Sequence, residues 1–120
     1  MTLPAQSDSF TLAYIACALW SSLDDDGVPL DTNYIASDLA PETLERIKAD
    51  CAAFRAQNWE SICGNLSRAG HDFWLTRNHH GAGFWYGDWL ENVGEELTEA
   101  CRLWGEFDLY IGDDGEIYAN

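Results

Sequence analysis

An excess of negative charge is the feature that most limits what this chain can fold into. Six lysines and arginines stand against 21 aspartates and glutamates, which gives a formal net charge of −15 over 120 residues. Repulsion between like charges destabilises a compact state, so folding depends on a sufficient apolar core. Hydrophobic residues make up 47% of the chain, which is enough to predict one folded domain spanning residues 1–120.

The same charge limits the classes of partner. An acidic chain repels nucleic-acid phosphates and anionic lipid, whereas direct nucleic-acid binding needs a basic surface. We therefore expect no direct binding to nucleic acid and no membrane association. A protein that itself binds nucleic acid through a basic groove would be attracted. High solubility, or adaptation to salt, is the other interpretation of the charge.

The cysteines and the hydrophobic segments predict a cytoplasmic protein. Cys17, Cys51, Cys63 and Cys101 contain no C-x-x-C pair, so a zinc ribbon is not supported. Free cysteines commonly behave as small buried hydrophobic residues, and the first, second and fourth fall on apolar helical faces. The N-terminus lacks the pattern of a signal peptide, and the apolar run over residues 12–20 is too short to span a bilayer.

Helical patterns cover most of the chain. Asp8 or Ser9 is expected to cap a first helix that is apolar nearly all round, lies in the core and ends before Gly27. A second helix is predicted from Pro41 to about residue 57, followed by a short helix or a bent continuation over residues 59–66. The last helix is expected to begin at a cap at Asn92 and to end at Gly105. Trp20 and Trp104 fit core positions on the first and last of these helices.

Strand patterns occur in the second half. Residues 71–78 contain good strand formers, and residues 107–111 and 116–119 flank a Gly-Asp-Asp-Gly turn that is typical of a β-hairpin. Together they predict a small antiparallel sheet. The predicted fold class is α+β, with helices packed on one face of this sheet and a C-terminal β-hairpin.

A metal site is one hypothesis for chemistry in this chain. His71, Asp72 and His80 carry imidazole and carboxylate groups of the kind that bind metals. The H-E-x-x-H spacing of zinc hydrolases is absent, and residues 24–27 do not match a calcium loop. No phosphate-binding loop or nucleophile elbow appears. We therefore predict no catalytic residues, no metal and no cofactor, and keep a metal-dependent enzyme at these three residues as the second alternative.

The carboxylates provide the main candidate site. Ten of them lie in residues 88–116, against Arg102 alone. Duplex DNA carries one negative charge per ~1.7 Å of its axis, so a DNA-binding cleft is built for a dense anionic ligand. Carboxylates held at comparable spacing on a folded protein can occupy such a cleft. The predicted contact residues are Asp24, Asp25, Asp26, Glu91, Glu95, Glu96, Glu99, Asp113, Asp114 and Glu116.

An aromatic, glycine-containing loop is the alternative candidate site. Residues 78–89 contain Phe84, Trp85, Tyr86 and Trp89. Aromatic side chains dominate the energetics of protein interfaces, so this loop predicts an accessory module that binds another protein. Packing against the protein's own core is the other interpretation of these rings.

Three blocks of sequence carry a resemblance to known proteins. They are AGHDFWLTRN at residues 69–78 with HGAGFW at 80–85, the tail GEFDLYIGDDG at 105–115, and APETL at 40–44. With these blocks the chain resembles a family of small acidic proteins encoded by tailed bacteriophages and related mobile elements. The family has no established activity, so the resemblance implies no catalytic residues. It implies a phage setting, in which small acidic proteins disable restriction enzymes and CRISPR surveillance complexes.

The first hypothesis is therefore an anti-CRISPR-like inhibitor that acts in the infected bacterial cell. It blocks a basic groove of a host nucleic-acid-binding complex through a surface that mimics DNA, and it is not an enzyme. The aromatic module and the metal-dependent enzyme are the two alternatives.

Overall fold

Four α-helices and one two-stranded sheet make up the part of the chain that the structure, a computed structural model, describes. That part is residues 8–80, 83–84 and 89–120, without the side chain of Glu91. The elements in chain order are α1 (Ser9–Ser21), 3₁₀ turns at Leu30–Thr32 and Ala36–Asp38, α2 (Pro41–Ile62), α3 (Leu66–Arg77), α4 (Glu91–Cys101), β1 (Leu109–Ile111) and β2 (Ile117–Ala119).

Helix α1 begins at the predicted cap. The Asp8 carboxylate accepts a hydrogen bond from Phe10 N at 3.0 Å and one from Thr11 Oγ1 at 2.6 Å. It also pairs with Arg55 of α2 at 3.0 Å. The prediction that Trp20 packs in the core is wrong, because its side chain is 60% exposed. α1 is apolar nearly all round, but the described neighbours cover only part of its circumference.

The second helical region is one bent helix. α2 runs from Pro41 to Ile62, with non-helical backbone angles at Asn58. The Asn58 side-chain amide donates to Phe54 O at 3.0 Å, which offers the backbone an alternative partner at the bend. Of the two possibilities left open for residues 59–66, the bent continuation is the one that forms, and Leu66 already belongs to α3.

The predicted strand over residues 71–78 is wrong, because Leu66–Arg77 is a helix. Its residues from Ala69 to Arg77 are all buried except His71. A helix that is covered on nearly every side shows a continuous apolar run, and periodicity cannot separate such a run from a buried strand. The strand preferences of Phe73, Trp74 and Thr76 are overridden by the packing of this helix.

The C-terminal hairpin forms as predicted. β1 and β2 pair antiparallel, with Leu109 opposite Ala119 and Ile111 opposite Ile117. The start of α2 lies against β2, where Ala40 N donates to Ile117 O at 2.9 Å. The α+β class with a C-terminal hairpin is confirmed. The sheet has two strands in the described part of the chain, because the predicted third strand is α3.

Helix α4 differs from its prediction at both ends. It begins at Glu91 with Leu90 at the N-cap position, so the predicted cap at Asn92 is wrong, and it ends at Cys101, before Trp104. Gly105 follows in the left-handed conformation with φ +67°. Trp104 is only partly buried and packs against the edge of the core.

Aromatic rings occupy the centre of the core. The Phe54 ring of α2 stacks on the Phe73 ring of α3 with centroids 4.1 Å apart, and the Phe84 ring also stacks with Phe54, with centroids 5.8 Å apart. α1 reaches this cluster by close approach to α3 at Gly70. A Cβ atom at Gly70 would lie 2.0 Å from Phe10 O. The absence of a side chain at Gly70 therefore sets the distance between α1 and α3.

Candidate functional site

The buried polar residues of α3 hold other segments in place. The Asp72 carboxylate is 2% exposed, and it accepts a hydrogen bond from Trp89 Nε1 at 2.8 Å. One turn later, Thr76 Oγ1 accepts from Phe84 N at 3.1 Å. Both bonds fix positions in the segment between α3 and α4. Asp72 therefore has a packing role that the sequence-based hypothesis of a metal ligand did not include.

Arg77 is the centre of a buried polar network. Its Nη1 donates to Tyr14 Oη at 3.1 Å and to Asp50 Oδ2 at 2.9 Å. Its Nε and Nη2 donate to the carbonyl oxygens of Gly105 and Trp104 at 2.9 and 3.0 Å. Arg77 thereby links α1, α2 and the segment after α4. Burial of the Tyr14 hydroxyl in this network raises its pKa, so Tyr14 stays neutral.

Asn78, which directly follows α3, is another polar residue that holds a distant segment in place. Its Oδ1 accepts a hydrogen bond from Phe107 N at 2.8 Å, and its Nδ2 donates to Trp74 O at 3.0 Å. The C-terminal residues of α3 and Asn78 therefore fix the segments before and after α4 and the approach to β1. The sequence block at residues 69–78 therefore places these polar groups where they organise the fold.

His79 holds an unfavourable backbone conformation, with φ +60°. Side chains with a Cβ atom are strained there and glycine is not. We expect His79→Gly to raise the free energy of unfolding by about 0.5–1 kcal/mol, since relief of strain outweighs the added freedom of the unfolded chain. The His79 ring lies 3.9 Å from the Glu106 carboxylate on the exposed surface, and such a contact contributes little to stability.

Urea unfolding measures the effect of His79→Gly, and the neighbouring His80→Gly serves as the matched control. His80 has no positive φ angle, so glycine there should leave stability unchanged or lower it. A lower urea midpoint for His79→Gly than for the native chain would contradict the account of this position.

The three proposed metal ligands are not brought together as a site. His71 Nδ1 lies 3.2 Å from Asp72 Oδ1, but the other carboxylate oxygen of Asp72 is bound by Trp89. Over residues 8–80, 83–84 and 89–120, no group of three histidine, cysteine, aspartate or glutamate side chains is placed to hold a metal ion. The geometry of the described residues offers no support to the metal-dependent enzyme.

Three of the four thiols are unsuited to nucleophilic chemistry. Cys17, Cys51 and Cys101 are buried, as predicted, and Cys63 is exposed. Burial raises the pKa of each of the three buried thiols to about 12. They therefore stay protonated at neutral pH, whereas attack on a substrate requires the thiolate.

The predicted acidic contact residues lie on three elements. Asp25 and Asp26 are exposed in the turn after α1, while Asp24 is partly buried and its Oδ1 accepts hydrogen bonds from Asp26 N and Val28 N. Asp113 and Asp114 are exposed in the hairpin turn. On α4, the exposed side chains are Glu95, Glu96 and Glu99; Glu116 is partly buried, and the Glu91 side chain lies outside the described part.

The hairpin turn has its own hydrogen bonds. Tyr118 Oη donates to Asp114 Oδ2 at 2.6 Å, which raises the pKa of Tyr118 to about 12 and lowers that of Asp114. Glu42 contributes a smaller part of the rise in the Tyr118 pKa, so the start of α2 adds a carboxylate to the hairpin. Sequence reasoning missed Glu42, because its proximity to the hairpin depends on the contact between α2 and β2.

The arginines are paired within the chain, whereas many of the carboxylates are exposed. All five arginines have partners within the chain: Arg55 with Asp8, Arg77 with Asp50, Arg102 with Glu99, Arg68 with Asp72 at 4.0 Å, and Arg46 with the carbonyl oxygens of Ala119 and Asn120. Many carboxylates stay exposed: Asp25, Asp26, Asp31, Glu42, Glu45, Glu60, Glu95, Glu96, Glu99, Glu106, Asp108, Asp113 and Asp114. The described surface is therefore strongly anionic.

The aromatic loop is only partly described. Phe84 is 1% exposed and belongs to the core, so its ring is covered by the protein's own residues. Trp89 is partly buried, and its indole nitrogen is bound to Asp72. Trp85 and Tyr86 lie outside the described residues. The two aromatic residues that can be placed therefore support packing within the protein.

The comparisons with other proteins do not identify a function. Among the described residues, no helix has both the length and the apolar character needed to cross a membrane. Comparison of the chain with family models, with curated proteins and with solved structures returned no match.

Proposed function

We propose that this protein is an anti-defence inhibitor of the anti-CRISPR type, which acts in the cytoplasm of a bacterium infected by the phage that encodes it. It binds a host nucleic-acid-binding complex and occupies the basic groove that otherwise takes DNA. It needs no catalytic residue, metal or cofactor. The resemblance to acidic phage proteins supplies the biological setting of this proposal.

The observation that carries the proposal is the excess of exposed carboxylates over available cations. Each arginine already has an intramolecular partner, and Arg102 pairs with the exposed Glu99, so the other exposed acids are left without a matching set of basic side chains. Such a surface steers a basic groove towards it over distances of about 10 Å at moderate salt. Nucleic acid presents the same sign of charge to that groove.

Helix α4 is the best-organised part of this surface. Glu95, Glu96 and Glu99 are exposed on two consecutive turns, while Leu97 and Cys101 anchor the opposite side in the core. Residues four apart on a helix rise by about 6 Å, so Glu95, Glu96 and Glu99 place three carboxylates within one short stretch of the surface. The rigid helix therefore presents its carboxylates without the entropic cost of ordering a loop.

A double substitution on α4 tests the proposal. We expect Glu95→Gln with Glu96→Gln to weaken inhibition about tenfold, because two charges that face the groove are removed. The control is Glu45→Gln with Glu60→Gln, which changes net charge equally at exposed positions outside the predicted contact set. The control should change inhibition by less than about twofold.

The measurement is phage plaquing on bacteria that express each variant. A panel of strains with different CRISPR–Cas immunity, and one with a restriction system, is infected with a phage that each strain targets. The native protein should restore plaques in at least one strain, and the α4 variant should lose this effect while its circular dichroism stays native. Unchanged immunity in every strain, or equal loss for α4 variant and control, would refute the proposed mechanism.

A further inference from the structure

The outer face of the C-terminal hairpin carries a pair of aromatic rings. Tyr110 of β1 lies directly opposite Tyr118 of β2, and the two rings stack with centroids 5.9 Å apart. Side chains alternate along a strand, so these rings point away from Leu109 and Ile117, which are buried in the core. Tyr110 is 44% exposed. The ring pair is therefore open to solvent.

An open concavity of about 430 Å³ lies beside this pair. Its lining consists of the two tyrosines with Ile111, Gly112, Asp113 and Asp114. We call these six residues the tyrosine site. None of them is basic, and two of them carry a negative charge. The site therefore combines aromatic faces with carboxylates in one place.

The hairpin holds the tyrosine site in one arrangement. Tyr118 Oη donates to Asp114 Oδ2 at 2.6 Å, and the other oxygen of this carboxylate accepts from Glu116 N at 2.9 Å. The Tyr118 ring lies against the backbone at Gly112, where a Cβ atom would overlap it. Because the ring and the carboxylate are fixed before any ligand arrives, binding needs little further ordering of the site.

Negative charge is concentrated around the site. Asp114, Glu116 and Glu42 all contribute to the raised pKa of Tyr118, so these three carboxylates act on its hydroxyl group. Asp113 is exposed in the turn. A cation placed over an aromatic face is attracted by the ring, and neighbouring carboxylates add to this attraction. The site therefore favours a cationic ligand.

Arg46 approaches the same hairpin without lining the tyrosine site. It donates to the carbonyl oxygens of Ala119 and Asn120 at the end of the hairpin. Its guanidinium lies over the ring of Phe107, 4.7 Å from the centroid, and Phe107 is buried in the core. Arg46 therefore leaves the exposed ring of Tyr110 available to a cation from outside the chain.

We propose that the tyrosine site binds an arginine side chain of the protein partner. The planar guanidinium stacks on the exposed ring of Tyr110, and its N–H groups donate to the carboxylate of Asp113. A guanidinium is weakly hydrated and stacks on aromatic faces, whereas a lysine ammonium is a compact and strongly hydrated charge. The proposal rests on the proposed function for the source of the arginine, which is the basic groove of the host complex.

Peptide binding to the purified full chain tests the tyrosine site without any host complex. An arginine-rich peptide, and a second peptide in which lysine replaces every arginine, are titrated into chain that carries ¹³C-labelled tyrosine rings. We expect the arginine peptide to bind more tightly than the lysine peptide by about threefold or more. The ring signals of Tyr110 and Tyr118 should shift more than that of Tyr34, which packs against the core.

Substitutions separate the contribution of the ring from that of charge. Tyr110→Leu should lower the affinity for the arginine peptide to that for the lysine peptide, and Tyr110→Phe should keep the native preference. The control is Trp59→Leu, since Trp59 is 49% exposed and lies about 25 Å along α2 from the end that contacts the hairpin. This control should bind both peptides as the native chain does, and circular dichroism confirms that each variant folds.

Several results would overturn the proposal: no binding of the arginine peptide, equal affinities for the two peptides, or a preference that survives Tyr110→Leu. Each is distinguishable from failure of the inhibitor. A preference for arginine together with unchanged immunity in every strain would support the tyrosine site and refute the inhibitor. Restored plaques without a preference for arginine would do the reverse.

Discussion

Replacement of Arg77 with methionine should lower the free energy of unfolding by about 3–5 kcal/mol, the largest effect we expect from removal of a polar side chain here. The side chain is 3% exposed, and the substitution leaves Tyr14 Oη, Asp50 and two carbonyl oxygens without their donor. The guanidinium also lies over three aromatic rings, the nearest of which is Phe107 with its centroid at 5.0 Å. A small domain has only about 5–15 kcal/mol of stability, so much of it should be lost.

Urea unfolding followed by circular dichroism measures this loss. Arg102→Met is the control, because Arg102 is 73% exposed and pairs only with the exposed Glu99. That variant should change stability by less than about 0.5 kcal/mol. Arg77→Lys should not restore the native value, since an ammonium group cannot reach acceptors arranged for a planar guanidinium. Similar midpoints for Arg77→Met and Arg102→Met would show that the network is not a principal support of the fold.

The second large effect is expected for Gly70→Ala. The added methyl group would lie 2.0 Å from Phe10 O and 2.8 Å from Phe10 C, and both atoms belong to the backbone of α1. Because no side-chain rotation can relieve this clash, α1 and α3 must move apart. We expect a loss of about 3 kcal/mol or more, at the upper end of the usual cost of overpacking.

Gly64→Ala provides a matched comparison, measured by the same urea unfolding. A Cβ atom at Gly64 meets nothing within 4 Å, and its φ angle is not in the left-handed region. Alanine there should be neutral or slightly stabilising, because it reduces the freedom of the unfolded chain. If Gly70→Ala proved as stable as Gly64→Ala, the close approach of α1 and α3 would be wrong.

Local signals in the sequence predicted the N-terminal helix cap and the C-terminal hairpin, but they did not predict the central helix α3. The Asp8 cap and the hairpin around residues 112–115 depend on neighbouring residues, and both form as expected. Whether residues 66–77 form a helix or a strand depends instead on the residues that pack around them. Its apolar run matches a strand as well as a helix when every face is buried, so composition and spacing could not decide between them.

The sequence predicted the negative charge of the candidate site, but it did not predict how the residues of the site are arranged. Composition alone indicates an acidic surface, and Glu95, Glu96 and Glu99 are exposed as the helical pattern predicts. The exposure of Trp20 could not be predicted, since it depends on which neighbours pack around α1. The grouping of Glu42 with the hairpin likewise depends on contacts between residues far apart in the chain.

The roles of Asp72, Arg77 and Asn78 show how a sequence block can suggest chemistry and yet support the fold. Asp72 was assigned to the metal hypothesis together with His71 and His80, whereas Arg77 and Asn78 had no predicted role. In the structure each one binds a distant segment: Trp89, the carbonyl oxygens after α4, or Phe107 N. Polar groups buried in this way need hydrogen-bond partners, and the distant segments supply them.

The most direct test of the proposed function is whether the protein and DNA exclude one another on the same complex. A guide-loaded surveillance complex is purified from the panel strain whose immunity the native protein suppresses, and it is mixed with a fluorescent target duplex. We predict that rising concentrations of the native protein displace the duplex, that more duplex reverses the displacement, and that added salt weakens the inhibitor. A stable ternary complex that holds both the protein and the duplex would contradict the account.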